Sequence, residues 1–244
     1  MARLPATVPG GPGLRSLAVV VPTLDEERAI GACLAAVGDD QGIEVAVSDG
    51  GSADATVAAA RRERPGVRVV TGPPGRGAQL NRGAAAVAAD AYVFVHADCR
   101  LPAGWAAAVR GALADPGVAL GCFRLHTEPA RPGAGAAARW WWRLLDLRSR
   151  GLGLPYGDQA LFVRREVFAA VGGFPPIPLM EDVEFVRRCL RHGRLARLPL
   201  AVRTTARRFA RRPLRARLCT ATFPLLFRLG VSPHRLARWY GDVR

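Results

Sequence analysis

Short runs of large apolar residues, closed in turn by Pro22, Asp49, Gly72 and His96, set the rhythm of the first half of the chain. Ser16 to Val21, Ile43 to Ser48, Val67 to Thr71 and Tyr92 to Val95 read as strands, the last of them too short for a helix and apolar on both faces. That is the pattern of strands buried inside a sheet covered on both sides. Between them lie stretches that predict helices: from the polar turn Thr23-Leu24-Asp25-Glu26-Glu27 to about Val37, from about Thr56 to Arg64, and from Ala78 to Ala89. The acidic residues of the first turn suit a helix dipole, and either Ser52 or Asp54 is placed to cap the second helix. Alternation of strand and helix argues for an α/β fold with a doubly wound, mostly parallel sheet.

The second half is less regular. A helix is expected at about 103–113, a strand from Val118 to His126, and a Pro/Gly/Ala-rich loop at 129–139. An apolar, aromatic helix should begin at Trp140-Trp141-Trp142, and Ala160 to Val163 should be a strand. A short helix from Arg165 to Val171 is broken by Gly172-Gly173-Phe174-Pro175. Leu179-Met180-Glu181-Asp182 opens a helix to about Arg191, and Arg194 to Val202 is extended. The expected division is a disordered leader at 1–15, an α/β domain at 16–212 and basic amphipathic helices at 213–244.

Composition narrows the class. With 244 residues, half of them hydrophobic, the chain suits one large domain with an appendage. All 35 basic residues are arginine, and the formal net charge is +15, which suits anionic partners. The arginines read as dispersed and accompany no nucleic-acid motif, so nucleic acid is not an expected partner. Five scattered cysteines without metal-site spacing read as reduced thiols. No signal-like apolar core opens the chain, and no run approaches the roughly 20 apolar residues of a membrane span. The expectation is a cytoplasmic protein whose C-terminal helices either pack against the catalytic domain, the plainer reading, or make peripheral contact with the inner face of an anionic membrane.

Candidate chemistry gathers where the fourth strand stops, at His96-Ala97-Asp98. Ligands of open α/β sheets sit beyond the carboxyl ends of the strands. A carboxylate there can hold a divalent cation against a substrate diphosphate. Equally, Asp98 can cap a helix beginning near Pro102 while His96 is an ordinary strand-end residue. The first strand is not followed by G-x-G-x-x-G, which counts against a dinucleotide enzyme.

Six motifs in order add a resemblance: Pro-Thr-Leu-Asp-Glu-Glu (22–27), Asp-Gly-Gly-Ser-Ala-Asp-Ala-Thr (49–56), Arg-Gly-Ala-Gln-Leu-Asn-Arg-Gly (76–83), His-Ala-Asp (96–98), Gly-Gly-Phe (172–174) and Glu-Asp (181–182). Over about residues 16–240 the chain resembles a family 2 glycosyltransferase of the GT-A fold. With Tyr156-Gly157-Asp158-Gln159 and Pro178-Leu179-Met180-Glu181-Asp182, it resembles the small bacterial branch associated with radical-SAM and selenoprotein-type gene clusters.

The resemblance implies transfer of a sugar, with inversion, from a nucleotide-diphosphate donor (a UDP-sugar) to an unknown acceptor, assisted by Mn²⁺ or Mg²⁺. It places Pro22, Thr23, Leu24, Glu26, Asp49, Arg76, Asn81, His96 and Ala97 about the nucleotide, with Asp49 on the pyrimidine and Arg76 and Asn81 near the ribose and diphosphate. Asp98 would be the metal ligand and Asp182 the general base. Gly157, Asp158, Gln159 and Glu181 would line the sugar and acceptor side. Trp140 to Trp142 would offer a stacking platform, although three adjacent tryptophans cannot share one helix face and at least one should be core or a membrane-facing anchor. Independently of the resemblance, the position and charge of Arg207 and Arg208 suit a lid that closes over the diphosphate. Two other readings stand beside this one: a nucleotidyltransferase on the same kind of sheet, and a basic nucleic-acid-binding protein.

Overall fold

The computed structural model describes residues 14–128, 146–147, 154–205 and 213–240. The leader to residue 13, the 129–139 loop, the three tryptophans and Arg207–Arg208 lie outside the described residues. Strand β1 (Leu17–Thr23) is central to the first half, parallel to β2 (Ile43–Asp49) on one side and β4 (Ala91–Phe94) on the other. Outside β2 lies β3 (Arg68–Thr71), also parallel. The remaining strands are β5 (Cys99–Arg100), β6 (Val118–Glu128), β7 (Leu161–Arg164) and β8 (Arg194–Thr205). Together they give an eight-stranded order β3-β2-β1-β4-β7-β6-β8-β5. Pairings β4–β7, β6–β7 and β5–β8 are antiparallel and β6–β8 is parallel, so the sheet is mixed beyond β4.

The period of two along β1 divides the core. Leu17, Val19 and Val21 pack against α1 (Ile30–Ala35), α2 (Thr56–Glu63) and α4 (Trp105–Leu113). Ala18 and Val20 pack on the other face with α3 (Arg76–Ala85) and α6 (Glu181–Cys189). A short α5 (Arg165–Ala170) follows β7, and α7 (Pro213–Arg228) and α8 (Pro233–Tyr240) end the described chain. All five cysteines are free and buried. Among the described residues no helix is long and apolar enough to cross a membrane.

Several expectations are corrected. Helix α1 starts at Ile30, so Asp25, Glu26 and Glu27 stand in the preceding loop rather than in a first helical turn. Helix α3 starts at Arg76, two residues early, which makes Arg76 part of its first turn. Asp98 does not cap the next helix, because α4 begins at Trp105 after Gly104.

Behind the Gly-Gly-Phe turn, Phe174 stacks on Phe185 with ring centroids 4.1 Å apart and meets Phe94 edge-on at 4.8 Å. Gly173 has φ +67°, and a Cβ there would stand 2.5 Å from Asn81 Oδ1. Only glycine fits both the left-handed backbone and that approach.

Candidate active site

The site forms at the carboxyl ends of β1, β2 and β4. The loops after β1 and β2 are laced together. Asp25 N–H donates to Ser52 Oγ (3.0 Å), Glu26 N–H to Thr56 Oγ1 (2.7 Å) and Glu27 N–H to Asp54 Oδ2 (3.1 Å). In return Ala53 N–H donates to Asp25 Oδ1 (2.8 Å) and Ala55 N–H to Glu27 Oε2 (3.2 Å). The acidic residues therefore satisfy backbone donors of the facing loop. Asp54 accepts the Thr56 N–H at 2.9 Å, at the start of α2, while Ser52 is engaged with Asp49 and Asp25.

Asp49 is buried and its carboxylate is fully engaged. Oδ1 accepts from Thr23 Oγ1 (2.9 Å) and Ser52 Oγ (2.5 Å); Oδ2 accepts from the N–H groups of Gly51 (3.0 Å) and Ser52 (2.8 Å). The side chain thus builds the turn, and a pyrimidine contact would have to displace one of these donors. Burial pushes the Asp49 pKa up, but the hydrogen bonds from Ser52, Thr23 and Gly51 outweigh it and the net shift is downward. A carboxylate lowered on folding contributes stability that is present above its unfolded value and lost as pH falls through its folded one. We expect Asp49→Asn to cost about 1–3 kcal/mol near neutral pH. The difference between the two proteins' melting temperatures should shrink as pH falls below the ordinary aspartate range and vanish only below Asp49's lowered folded-state value.

Gln79, which the sequence reading passed over, clamps the strand ends. Its buried Nε2 donates to Thr23 O (2.8 Å) and Ser48 O (2.9 Å), and its Oε1 accepts from Gly75 N (3.1 Å). Asn81, expected beside the ribose and diphosphate, spends both ends of its amide on the Phe174 backbone, at 2.9 and 2.8 Å. Ala97, expected beside the nucleotide, is 1% exposed and its methyl lies in the core, so only its backbone is available there.

At the end of β4, ligand atoms of His96, Asp98 and Cys99 lie within 4.8 Å of one another. Cys99 Sγ is 3.7 Å from Asp98 Oδ1 and 3.8 Å from the carbonyl of Asp158. Burial first, then the Asp98 charge, drives the Cys99 thiol well above its ordinary value. Cys33 donates to His96 O at 3.5 Å, and its thiol is raised by burial and then by the charges of Asp98 and Glu26.

The turn Gly157–Gln159 joins this cluster to the acidic pair. Gly157 N–H donates to Asp182 Oδ2 at 2.8 Å. A Cβ on Gly157 would stand 2.9 Å from His96 Nε2 and 3.3 Å from Asp182 Oδ2, so the missing side chain lets the two approach. Gln159 is a buried support rather than a pocket wall: Nε2 donates to Phe123 O (3.0 Å) and Oε1 accepts from Tyr156 N (3.2 Å).

Arg76 closes the far side. Its Nε is paired with Glu181 Oε1, and its terminal nitrogen lies 3.7 Å from Asp182 Oδ2. The Glu181 side chain is 2% exposed and that of Arg76 35%. Desolvation pulls the Arg76 pKa down, but the charges of Glu181 and Asp182 outweigh it and hold it above its ordinary value. Residues Asp25, Ala160 and Met180 carry positive φ (54°, 46° and 65°), each in a segment that builds the site. Strained backbone of this kind gathers at functional sites.

Comparisons with known proteins agree with this geometry. Residues 18–172 match the profile of "Glycosyl transferase family 2". No curated protein matches the chain. Among solved structures, the mannosyltransferase PcManGT from Pyrobaculum calidifontis, in complex with GDP-Man and Mn²⁺, superposes with TM-score 0.65 at 22% identity, over 90% of this chain and 66% of its own. Glucosyl-3-phosphoglycerate synthase from Mycobacterium tuberculosis, with Mn²⁺, UDP and phosphoglyceric acid, gives 0.54 at 26%, over 77% and 69%. S. aureus TarS gives 0.58 at 15%, over 93% and 70%. The chain spans about two thirds of the length of the first two proteins and of the TarS 1–349 fragment, and 40% of the longer TarS structure. With the profile covering more than half of its residues on a GT-A sheet, the chain belongs to glycosyl transferase family 2.

Proposed function

We propose that this glycosyltransferase moves a sugar, with inversion, from a nucleoside diphosphate donor to an acceptor hydroxyl, with Asp182 as general base. One observation carries the reading: Gly157 brings the His96–Asp98 end of β4 and the Asp182 carboxylate to one point, so groups suited to donor and acceptor meet there. Asp182 is oriented by the Gly157 N–H and faces Arg76, whose guanidinium supplies counter-charge. From there it would take the acceptor's proton as the new bond forms on the face opposite the leaving diphosphate. The bound UDP of the 26% identical synthase supports uridine as the base, with guanosine as the comparator.

The donor set at the end of β4 fits a divalent cation. Asp98 would hold it with His96 beside it, and the protonated Cys99 thiol would be an uncharged neighbour. A carboxylate with an imidazole favours Mn²⁺ over Mg²⁺, which takes oxygen ligands almost exclusively. When bound, the cation supplies counter-charge to the departing diphosphate.

The test is thermal melting with UDP, GDP and their sugars, with and without Mn²⁺. A ligand that binds only the folded state raises the melting temperature. We expect UDP to do so, Mn²⁺ to enlarge the shift, and Asp98→Ala to remove the enlargement. Absence of any nucleotide shift, with or without metal, would sink the donor assignment.

A further inference from the structure

The sequence divides sharply by charge at Glu184. Residues 1–184 hold nineteen arginines and nineteen acidic residues; residues 185–244 hold sixteen arginines and one acidic residue, Asp242. The whole formal excess of +15 therefore belongs to the C-terminal quarter, which corrects the expectation of dispersed arginines. Part of this quarter answers acids of the first 184 residues: Arg187 and Arg188 pair with Glu184, Arg194 with Asp115 and Arg203 with Glu128. Helices α7 and α8 contain no acid at all, and Arg228, Arg235 and Arg238 on or beside them are exposed.

The same helical pair is two-faced in its apolar residues. Cys219, Phe223, Leu226 and Phe227 pack inward with Leu236 of α8, spaced as one side of a helix. Leu218, Leu225 and Leu229 are 64%, 59% and 72% exposed. They stand seven and four residues apart, which aligns them in one outward stripe. Trp239, on α8, is also about half exposed. A stripe of large apolar side chains flanked by arginine and free of acid is the pattern of a helix lying in the headgroup region of an anionic bilayer.

We propose that α7 and α8 form a docking surface for an anionic phospholipid membrane, the leucine stripe entering the headgroup layer and the arginines meeting lipid phosphates. The inner face of the pair packs on Leu179 and Met180, the two residues before Glu181 and Asp182. The bilayer would thus lie beside the Asp182 end of the site. That placement rests on the reading of Asp182 above, whereas membrane binding itself does not.

The test is co-sedimentation of the full chain, without donor, with vesicles of phosphatidylcholine alone and of phosphatidylcholine mixed with phosphatidylglycerol. We expect binding at least ~10-fold tighter to the anionic vesicles. Replacing Leu218, Leu225 and Leu229 together by serine should weaken it about 10-fold or more while leaving the melting temperature unchanged. Equal binding to both vesicle types, or undiminished binding by the serine variant, overturns the proposal. Displacement from vesicles by duplex DNA at matched phosphate concentration also overturns it and assigns the basic quarter to nucleic acid. The nucleotide melting shift is read separately, so a failed vesicle experiment and a failed donor assignment remain distinct results.

Discussion

Replacing Asp182 by asparagine is expected to lower the turnover number by roughly 100- to 10,000-fold, the range of a lost general base. Asparagine keeps the shape, and its single oxygen can still accept the Gly157 N–H at the expense of the Val183 N–H bond, so the turn at Gly157–Gln159 should hold. Donor affinity should stay within about two-fold of the parent, because a base that acts on the acceptor is used only in the transition state. The loss should appear in turnover with the nucleotide-induced melting shift preserved. Release of nucleoside diphosphate by hydrolysis of the donor offers a readout before any acceptor is in hand. An equal loss in donor affinity and in turnover would instead make Asp182 a donor-side group.

The second large effect concerns stability. Glu181 is almost wholly buried and is neutralised by Arg76, and its second oxygen, Oε2, has no hydrogen-bond partner among the described residues. Replacing Arg76 by alanine strands this carboxylate. Breaking a buried pair from one side costs about 3–5 kcal/mol, and because water reaches a third of the Arg76 side chain the lower end applies. The paired replacement Arg76→Met with Glu181→Leu should recover part of that loss, since it removes the stranded Glu181 charge but leaves Asp182 without its counter-charge. Urea midpoints of the single and double variants decide the matter. A single variant costing less than about 1 kcal/mol would place the pair among weak surface contacts.

Much of the sheet could be read from the chain because β1, β2 and β4 are buried on both faces, and the aliphatic runs of β1 and β2 show it directly. Strand β5 could not, because two residues, Cys99 and Arg100, have no period. The antiparallel pairing of β6 with β7 and its parallel pairing with β8 were equally hidden, since pairing direction leaves no mark on composition. The motif residues were found, but their tasks were not. Asn81 looks like a ligand contact until its amide is seen holding Phe174, and Asp49 until its four donors are counted. Gln79 and Gln159 are polar residues buried as backbone supports. The only hint at Gln79 was its place four residues before Gly83, on a face of α3 that must lie close to the sheet. Meeting of Gly157 with both His96 and Asp182 is a long-range event that no local pattern records.

Met180 has a consequence for dissecting this enzyme. Its left-handed backbone sets the direction in which Glu181 and Asp182 leave the preceding loop, and its side chain is gripped by the hydrophobic cluster of α7 and α8. The terminal helices therefore brace the turn that leads into the acidic pair. A chain cut before Pro213 would lose that brace together with the proposed membrane surface, so the removal of one could not be tested without disturbing the other.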